Sequence, residues 1–189
     1  MKKSKLGFCM TGSFCTFSKV IEVMKQLSND YDIVPILSEI SYTTDTRFGE
    51  AAVFVEIIEE ICGKPVIHTI AGAEPIGPNA LTDIMLIAPC TGNTLAKLTG
   101  GITDTSVTMA AKSHLRGGKP LVLGISTNDA LGASAQNLGR LLNTRNLYFI
   151  PFRQDESTKK PRSLVADFVW TKDTLTAAEK GRQLQPILL

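Results

Sequence analysis

The sequence lacks a Cys-x-x-Cys pair, has only two histidines, His68 and His114, and contains no long apolar run. Its four cysteines, Cys9, Cys15, Cys62 and Cys90, are scattered singly. Neither a zinc ribbon nor a redox pair is suggested, and reduced, semi-buried thiols are expected. The histidines stand far apart, so no metal site is expected. No stretch approaches the ~18 apolar residues that cross a bilayer. Aromatic residues make up 6% and the net charge is only +2, which argues against a nucleic-acid partner. The one basic run, Lys159-Lys160-Pro161-Arg162, is short and reads as a solvated loop. The basic start, Met1 to Lys5, runs into Leu6 to Met10, but this apolar run stops at Thr11-Gly12-Ser13. It reads as a first strand rather than a signal peptide. A cytoplasmic protein without a membrane partner is expected.

What is present suits one globular domain of 189 residues, with 43% hydrophobic and 20% charged residues. Short apolar runs alternate with helical periods. Strands are expected over Lys5 to Met10, Asp32 to Leu37, Val66 to Ile70, Asp83 to Ala88, Leu121 to Ile125 and Leu147 to Ile150. Helices are expected over 14 to 28, from Ala51 to Cys62 with Gly63 as terminator, and over 93 to 99, 104 to 116 and 131 to 143. The Asp83 to Ala88 run is nearly all apolar, as a strand covered on both faces would be. Such alternation implies parallel βαβ units, with ligands beyond the carboxyl ends of the strands. Residues 1–150 are expected to form the ligand-binding domain. Residues 151–189 are read as a C-terminal loop and helix packed on it. Within that part, Arg153 to Arg162 reads as a long loop and 171 to 183 as a helix. The apolar tail Ile187-Leu188-Leu189 needs somewhere to dock.

Three strand-end loops could carry chemistry. Thr11-Gly12-Ser13 joins a strand to a helix, where glycine lets the backbone approach a ligand and helix-start amides favour phosphate. Ser13 could equally be a helix cap. The loop lacks Gly-x-Gly-x-x-Gly and the Walker lysine, which disfavours dinucleotide and P-loop readings. Ser38 ends the second strand and could donate to the same phosphate or make a local turn bond. Pro89-Cys90-Thr91-Gly92-Asn93-Thr94 is rich in small polar residues. It would let a planar ring lie against backbone amides, or be an ordinary turn capped by Asn93 or Thr94. Cys90 has no histidine near it in sequence and reads as a packed residue rather than a nucleophile.

At these residues the chain resembles the flavoprotein family of cysteine decarboxylases and flavin prenyltransferases. Pro89-Cys90-Thr91-Gly92-Asn93-Thr94 is similar to that family's Pro-Ala-Ser-Ala-Asn-Thr motif, and the likeness covers about residues 4 to 143. It implies a flavodoxin-like three-layer αβα fold with a central parallel sheet. It also implies FMN at Thr11, Gly12, Ser13, Phe14, Ser38, Pro89, Cys90, Thr91, Gly92, Asn93, Thr94, Ser126 and Asn128, and a trimer-based homo-oligomer. Two departures stand out. The decarboxylase histidine position falls on Pro75, and the prenyltransferase arginine position is Ser126, which lacks the fixed charge and fork of donors. Catalytic residues are therefore not identified; Glu74 and Asp129 are candidate bases or merely capping carboxylates.

One branch of the family is similar along the whole chain, including Glu74-Pro75-Ile76-Gly77-Pro78 and Gly181-Arg182-Gln183-Leu184-Gln185-Pro186. It implies one component of a two-subunit oxidoreductase. The partner would be dehydrogenase-like and carry NADP or NAD, and the reaction would aromatise a small dicarboxylate. A non-catalytic scaffold for that partner and an independent FMN-dependent decarboxylase remain open as alternatives.

Overall fold

The computed structural model describes residues 3–189; Met1 and Lys2, from the basic start noted above, lie outside it. Strand β1 (Ser4–Met10) leads through a 3-10 turn at Phe14–Thr16 into α1 (Phe17–Leu27). Then come β2 (Tyr31–Leu37), a five-residue α2 (Glu39–Thr43), α3 (Ala51–Cys62) and a short α4 (Ile70–Ala73). The central βαβ units follow: β3 (Ile84–Cys90), α5 (Gly92–Gly100), α6 (Ser106–Leu115), β4 (Leu121–Thr127), α7 (Ala135–Leu142) and β5 (Leu147–Phe149). The chain finishes with β6 (Phe152–Gln154), β7 (Leu164–Ala166) and α8 (Thr171–Glu179).

The parallel strands lie in the order β2-β1-β3-β4-β5, so the direction of winding reverses between β1 and β3. Helices cover both faces, giving the flavodoxin-like three layers. One core gathers Phe17, Val20 and Met24 of α1, Phe54 and Ile58 of α3 and Leu175 of α8 against Leu6, Phe8, Ile84 and Leu86. The other gathers Leu95, Val107, Ala110, Leu138 and Leu141 against Cys9, Met85, Ile87 and Leu123. Burial of alternate strand residues on opposite faces accounts for the apolar β3, every residue of which is buried. Gly63 ends α3 at φ 61°, a conformation that costs glycine nothing.

Four expectations need correction. Val66 to Ile70 is no strand: Ile67 alone bridges to Ile36, and Thr69 caps α4 by accepting from Gly72 N at 3.1 Å. The helix expected from 131 starts only at Ala135, because Asp129 turns the chain first, its carbonyl accepting from Gly132 N and Ser134 N. Arg153 to Arg162 is not all loop. Buried Phe152, Leu164 and Ala166 alternate with more exposed neighbours, and β6 and β7 pair as an antiparallel hairpin. The final helix stops at Glu179 rather than 183, since Gln183 has another task. Its Oε1 accepts from Phe149 N (2.8 Å) and its Nε2 donates to Phe149 O (2.7 Å), completing the open edge of β5 as a strand would. The tail docks by backbone, Phe152 N donating to Ile187 O and Leu189 N to Phe152 O, while Leu188 and Leu189 keep exposed side chains.

β7 pairs antiparallel with the carboxyl end of β4, Ser126 opposite Val165 and Thr127 opposite Leu164. This one pairing brings the C-terminal segment over the loops expected to bind a ligand. No helix among the described residues is long and apolar enough to cross a membrane.

Candidate functional site

Pro89 has no N–H to give to the ladder, and the β3–β4 register shifts between Ile87 and Cys90. The carbonyl of Pro89 turns instead to the first loop. Thr11 donates to it from both N (3.3 Å) and Oγ1 (2.7 Å), and Thr11 Oγ1 accepts from Thr91 N (3.1 Å). Thr11 is 2% exposed, so this knot is buried. It ties the loop after β1 to the loop after β3 at the point where the winding reverses, the usual ligand position in such sheets. The loops that carry Ser13 and Thr94 therefore share one end of the sheet.

Thr91 then caps α5, its side chain accepting from Thr94 N at 3.3 Å. The amides of Gly92 and Asn93 open the helix, where no intrahelical acceptor exists. Gly92 is required by close approach: a Cβ there would sit 2.7 Å from Ser134 Oγ and 2.9 Å from Thr127 Oγ1. Ser13 Oγ shares a 2.8 Å hydrogen bond with Ser126 Oγ, linking the first loop to the end of β4.

Above these groups lies a cleft of about 510 Å³, within the ~300–1,000 Å³ usual for small-molecule sites. Gly12, Ser13, Thr91, Ser126 and Asn128 line it, five of the thirteen residues expected to meet a cofactor. The other eight do not. Thr11, Pro89, Cys90 and Thr94 lie behind the wall. Phe14 packs on Phe17 with ring centroids 5.0 Å apart, and Asn93 is exposed outside the lining. Ser38 spends its hydroxyl as the cap of α2, accepting from Ser41 N (3.4 Å) and bonding Ser41 Oγ (2.8 Å). Burial pushes the Cys90 thiol far above its ordinary range, which leaves no thiolate to act as nucleophile. Asp129 uses its carboxylate on Ala133 N (3.2 Å), a capping role. Asn128 accepts from Ser163 Oγ through Oδ1 (3.3 Å).

Sequence reading missed the other polar and charged side chains of the wall, among them Cys15, Lys19, Arg47, Asp155, Lys160 and Ser163. Lys19 stands on α1. Arg47 sits in a turn closed by Thr46 N to Gly49 O and Gly49 N to Thr46 O, stacked 4.9 Å from the Phe48 ring centroid. Lys160 pairs with Asp155 at 2.8 Å on the β6–β7 loop. The basic run at 159–162 was the available signal, but only the β4–β7 pairing aims it at the cleft. The two histidines are elsewhere. His114 is buried between Thr82 Oγ1 (2.8 Å) and Pro120 O (2.9 Å), and His68 stacks on Tyr42 at 3.7 Å.

The cleft suits an anionic group on a larger body: helix-start amides and hydroxyls at its floor, cations on its walls. The chain is similar to known proteins along its whole length. A family profile described as Flavoprotein matches residues 1–161. The second subunit of dipicolinate synthase from Bacillus subtilis (strain 168) is 45% identical over 100% of this chain and 95% of its own. The crystal structure of the second subunit of dipicolinate synthase from Bacillus halodurans C superposes with a TM-score of 0.91 at 43% identity, over 100% of this chain and 98% of that one. The FMN-dependent cysteine decarboxylase SpaF shares the fold, with a TM-score of 0.66 at 20% identity over 94% of this chain and 97% of that one.

Proposed function

This chain belongs to the Flavoprotein family, and on that premise we propose that it binds FMN in the Gly12/Thr91 cleft and serves as the second subunit of dipicolinate synthase. With the first, dehydrogenase-like subunit, which would carry NADP or NAD, it oxidises a dihydrodipicolinate-type intermediate to dipicolinic acid. The setting is the mother-cell cytoplasm of a sporulating bacterium, and the working form is a trimer-based homo-oligomer. The observation that carries the reading is the buried Thr11 knot, which holds two ligand loops together at the switch point of the sheet. The full-length similarity to the second subunit of dipicolinate synthase adds the substrate.

The residues present fit a flavin nucleotide. Gly12 and Ser13, with the first-loop amides, hold the phosphate end, where helix-start N–H groups favour an anion. Thr91 forms the side along which ribityl and ring lie, with Gly92 and Thr94 shaping it from behind and Asn93 exposed beside them at the start of α5, and Ser126 and Asn128 face substrate or ring edge. Ser38 contributes from behind, by fixing α2. When bound, FMN supplies a ring able to take two electrons with a proton. The protein's task is then to orient and exclude water. Asp155 is the one carboxylate on the lining and it is already paired, so substrate protons leave through water or through the dehydrogenase-like partner.

The Ser13–Ser126 bond, in which each hydroxyl already has a protein partner, favours a second reading: a flavin fold kept as a scaffold for the dehydrogenase-like partner. One series of measurements separates the readings. The purified protein is expected to be yellow, or to gain thermal stability with added FMN. Asn128→Ala, on the cleft lining, is expected to abolish dipicolinate formation while the dehydrogenase-like partner still binds. Colourless protein with no FMN-dependent shift would sink the flavin reading. Loss of that association alone would establish the scaffold, and carbon dioxide release from a carboxylated substrate without the partner would indicate a decarboxylase.

A further inference from the structure

Three cations reach the cleft from three separate parts of the chain: Lys19 from α1, Arg47 from the turn after α2, and Lys160 from the β6–β7 loop. Neither Lys19 nor Arg47 has an ion pair among the described residues. Lys160 has one, with Asp155, and that pair is open to water, its side chains 44% and 37% exposed. Exposed pairs of this kind hold weakly and exchange partners at little cost. The floor of the cleft is different. Its hydroxyls and amides are fixed in a buried network, which suits a resident group. Long, solvated cationic side chains on a wall suit an anion that arrives and leaves.

We propose that Lys160, with Arg47 and Lys19, recognises the carboxylates of a planar dicarboxylate substrate, and that Asp155 is the internal anion the substrate displaces from Lys160. The inference rests on the reading that substrate enters this cleft. The guanidinium of Arg47 offers a planar fork for one carboxylate, and the ammonium of Lys160 is a point charge for the other. Asp155 acts as a selector. A neutral or singly charged ligand replaces its attraction for Lys160 poorly, whereas a dianion replaces it and gains Arg47 as well. The hairpin is held independently of that pair. Asp155 N donates to Ser163 O, Gln154 Nε2 to Pro161 O and Leu131 N to Arg162 O. Removing either charged side chain therefore leaves the loop's backbone bonds in place.

The test titrates the full-length protein with pyridine-2,6-dicarboxylate by calorimetry and, separately, with FMN by flavin fluorescence. Lys160→Gln is expected to weaken the dicarboxylate by about tenfold, the loss of one charged hydrogen bond, with FMN affinity unchanged. Asp155→Asn is expected to tighten the dicarboxylate. The opposite signs matter, because a merely structural role would shift both variants the same way. The dicarboxylate is also expected to shield Cys15, the exposed thiol on the cleft lining, from alkylation. The proposal is overturned by no dicarboxylate binding to the wild type, by weakening in both variants, by Lys160→Gln acting on FMN or inorganic phosphate instead, or by Cys15 left unshielded. If FMN fails to bind while the dicarboxylate responds as expected, the flavin reading falls and this one stands.

Discussion

At the floor of the cleft Thr11 is 2% exposed, and its hydroxyl both donates to Pro89 O and accepts from Thr91 N. At the wall Lys160 and Asp155 meet in the open, their side chains 44% and 37% exposed. Floor and wall face the same space but hold their shape differently. The floor spends buried hydrogen bonds, which are costly to leave unmade. The wall spends exposed ion pairs, which are worth little and can be traded for a ligand. A site with both can keep a cofactor and still turn over a charged substrate.

The sharpest way to break this contrast is Thr11→Val. It keeps shape but strands Thr91 N and leaves Pro89 O only the longer bond from the residue 11 amide, and a loss of about 1–3 kcal/mol is expected in urea unfolding, together with loss of FMN binding. A loss near zero would mean that the two loops are held by something else. Next comes pH. Burial holds the His114 imidazole below its ordinary 6.5, so the folded state prefers it neutral. Stability is full above the ordinary histidine range and falls as pH drops below it, because the unfolded chain then binds the extra proton. Asp83, held down chiefly by its hydrogen bond from the Lys5 amide, adds a second loss further into acid, below the carboxylate range. Thermal melts carried from pH 8 down to about pH 2 are expected to show both, and His114→Gln to remove the first. Since His114 bonds the loop before β4, at the far end of that strand from the cleft, FMN affinity of the wild type should not follow the first step.

Ser38→Ala tests which task its hydroxyl performs. Loss of the α2 cap is expected to cost about 1 kcal/mol, with FMN affinity unchanged; a parallel loss of FMN affinity would return Ser38 to the phosphate. The smallest expected effect is Arg153→Ala. An exposed pair such as Arg153–Asp167 is expected to contribute less than about 0.5 kcal/mol and to vanish in high salt. A larger cost would mean that exposed pairs of the β6–β7 hairpin are held more firmly than the Lys160–Asp155 exchange requires.

Much of the floor was readable because its signals are local. A strand, a glycine and a helix start lie within a few residues at Thr11-Gly12-Ser13, and again at Pro89 to Thr94. The allocation of hydroxyls was not readable. Ser38, Thr91 and Thr94 are chemically interchangeable as caps or ligand donors, and only the packed backbone shows that Ser38 and Thr91 are spent as caps. The strand expected at 66–70 failed for a related reason. Its composition suits a strand, but β2 is already paired with β1 on one side, and on the other Ile67 bonds it at a single bridge before Thr69 starts a helix.

The amino-acid order by itself determined the three-layer fold and the strand-end loops that make up the candidate site. Both follow from hydrophobic period and from strand-to-helix turns, which act over a few residues. The tertiary structure alone decided the charged wall. Lys160 joins Lys19 and Arg47 at one cleft because β7 pairs with the end of β4, a contact between segments far apart in the chain. No local preference of either segment specifies that contact, since burial and open backbone groups select it only once the rest of the sheet exists.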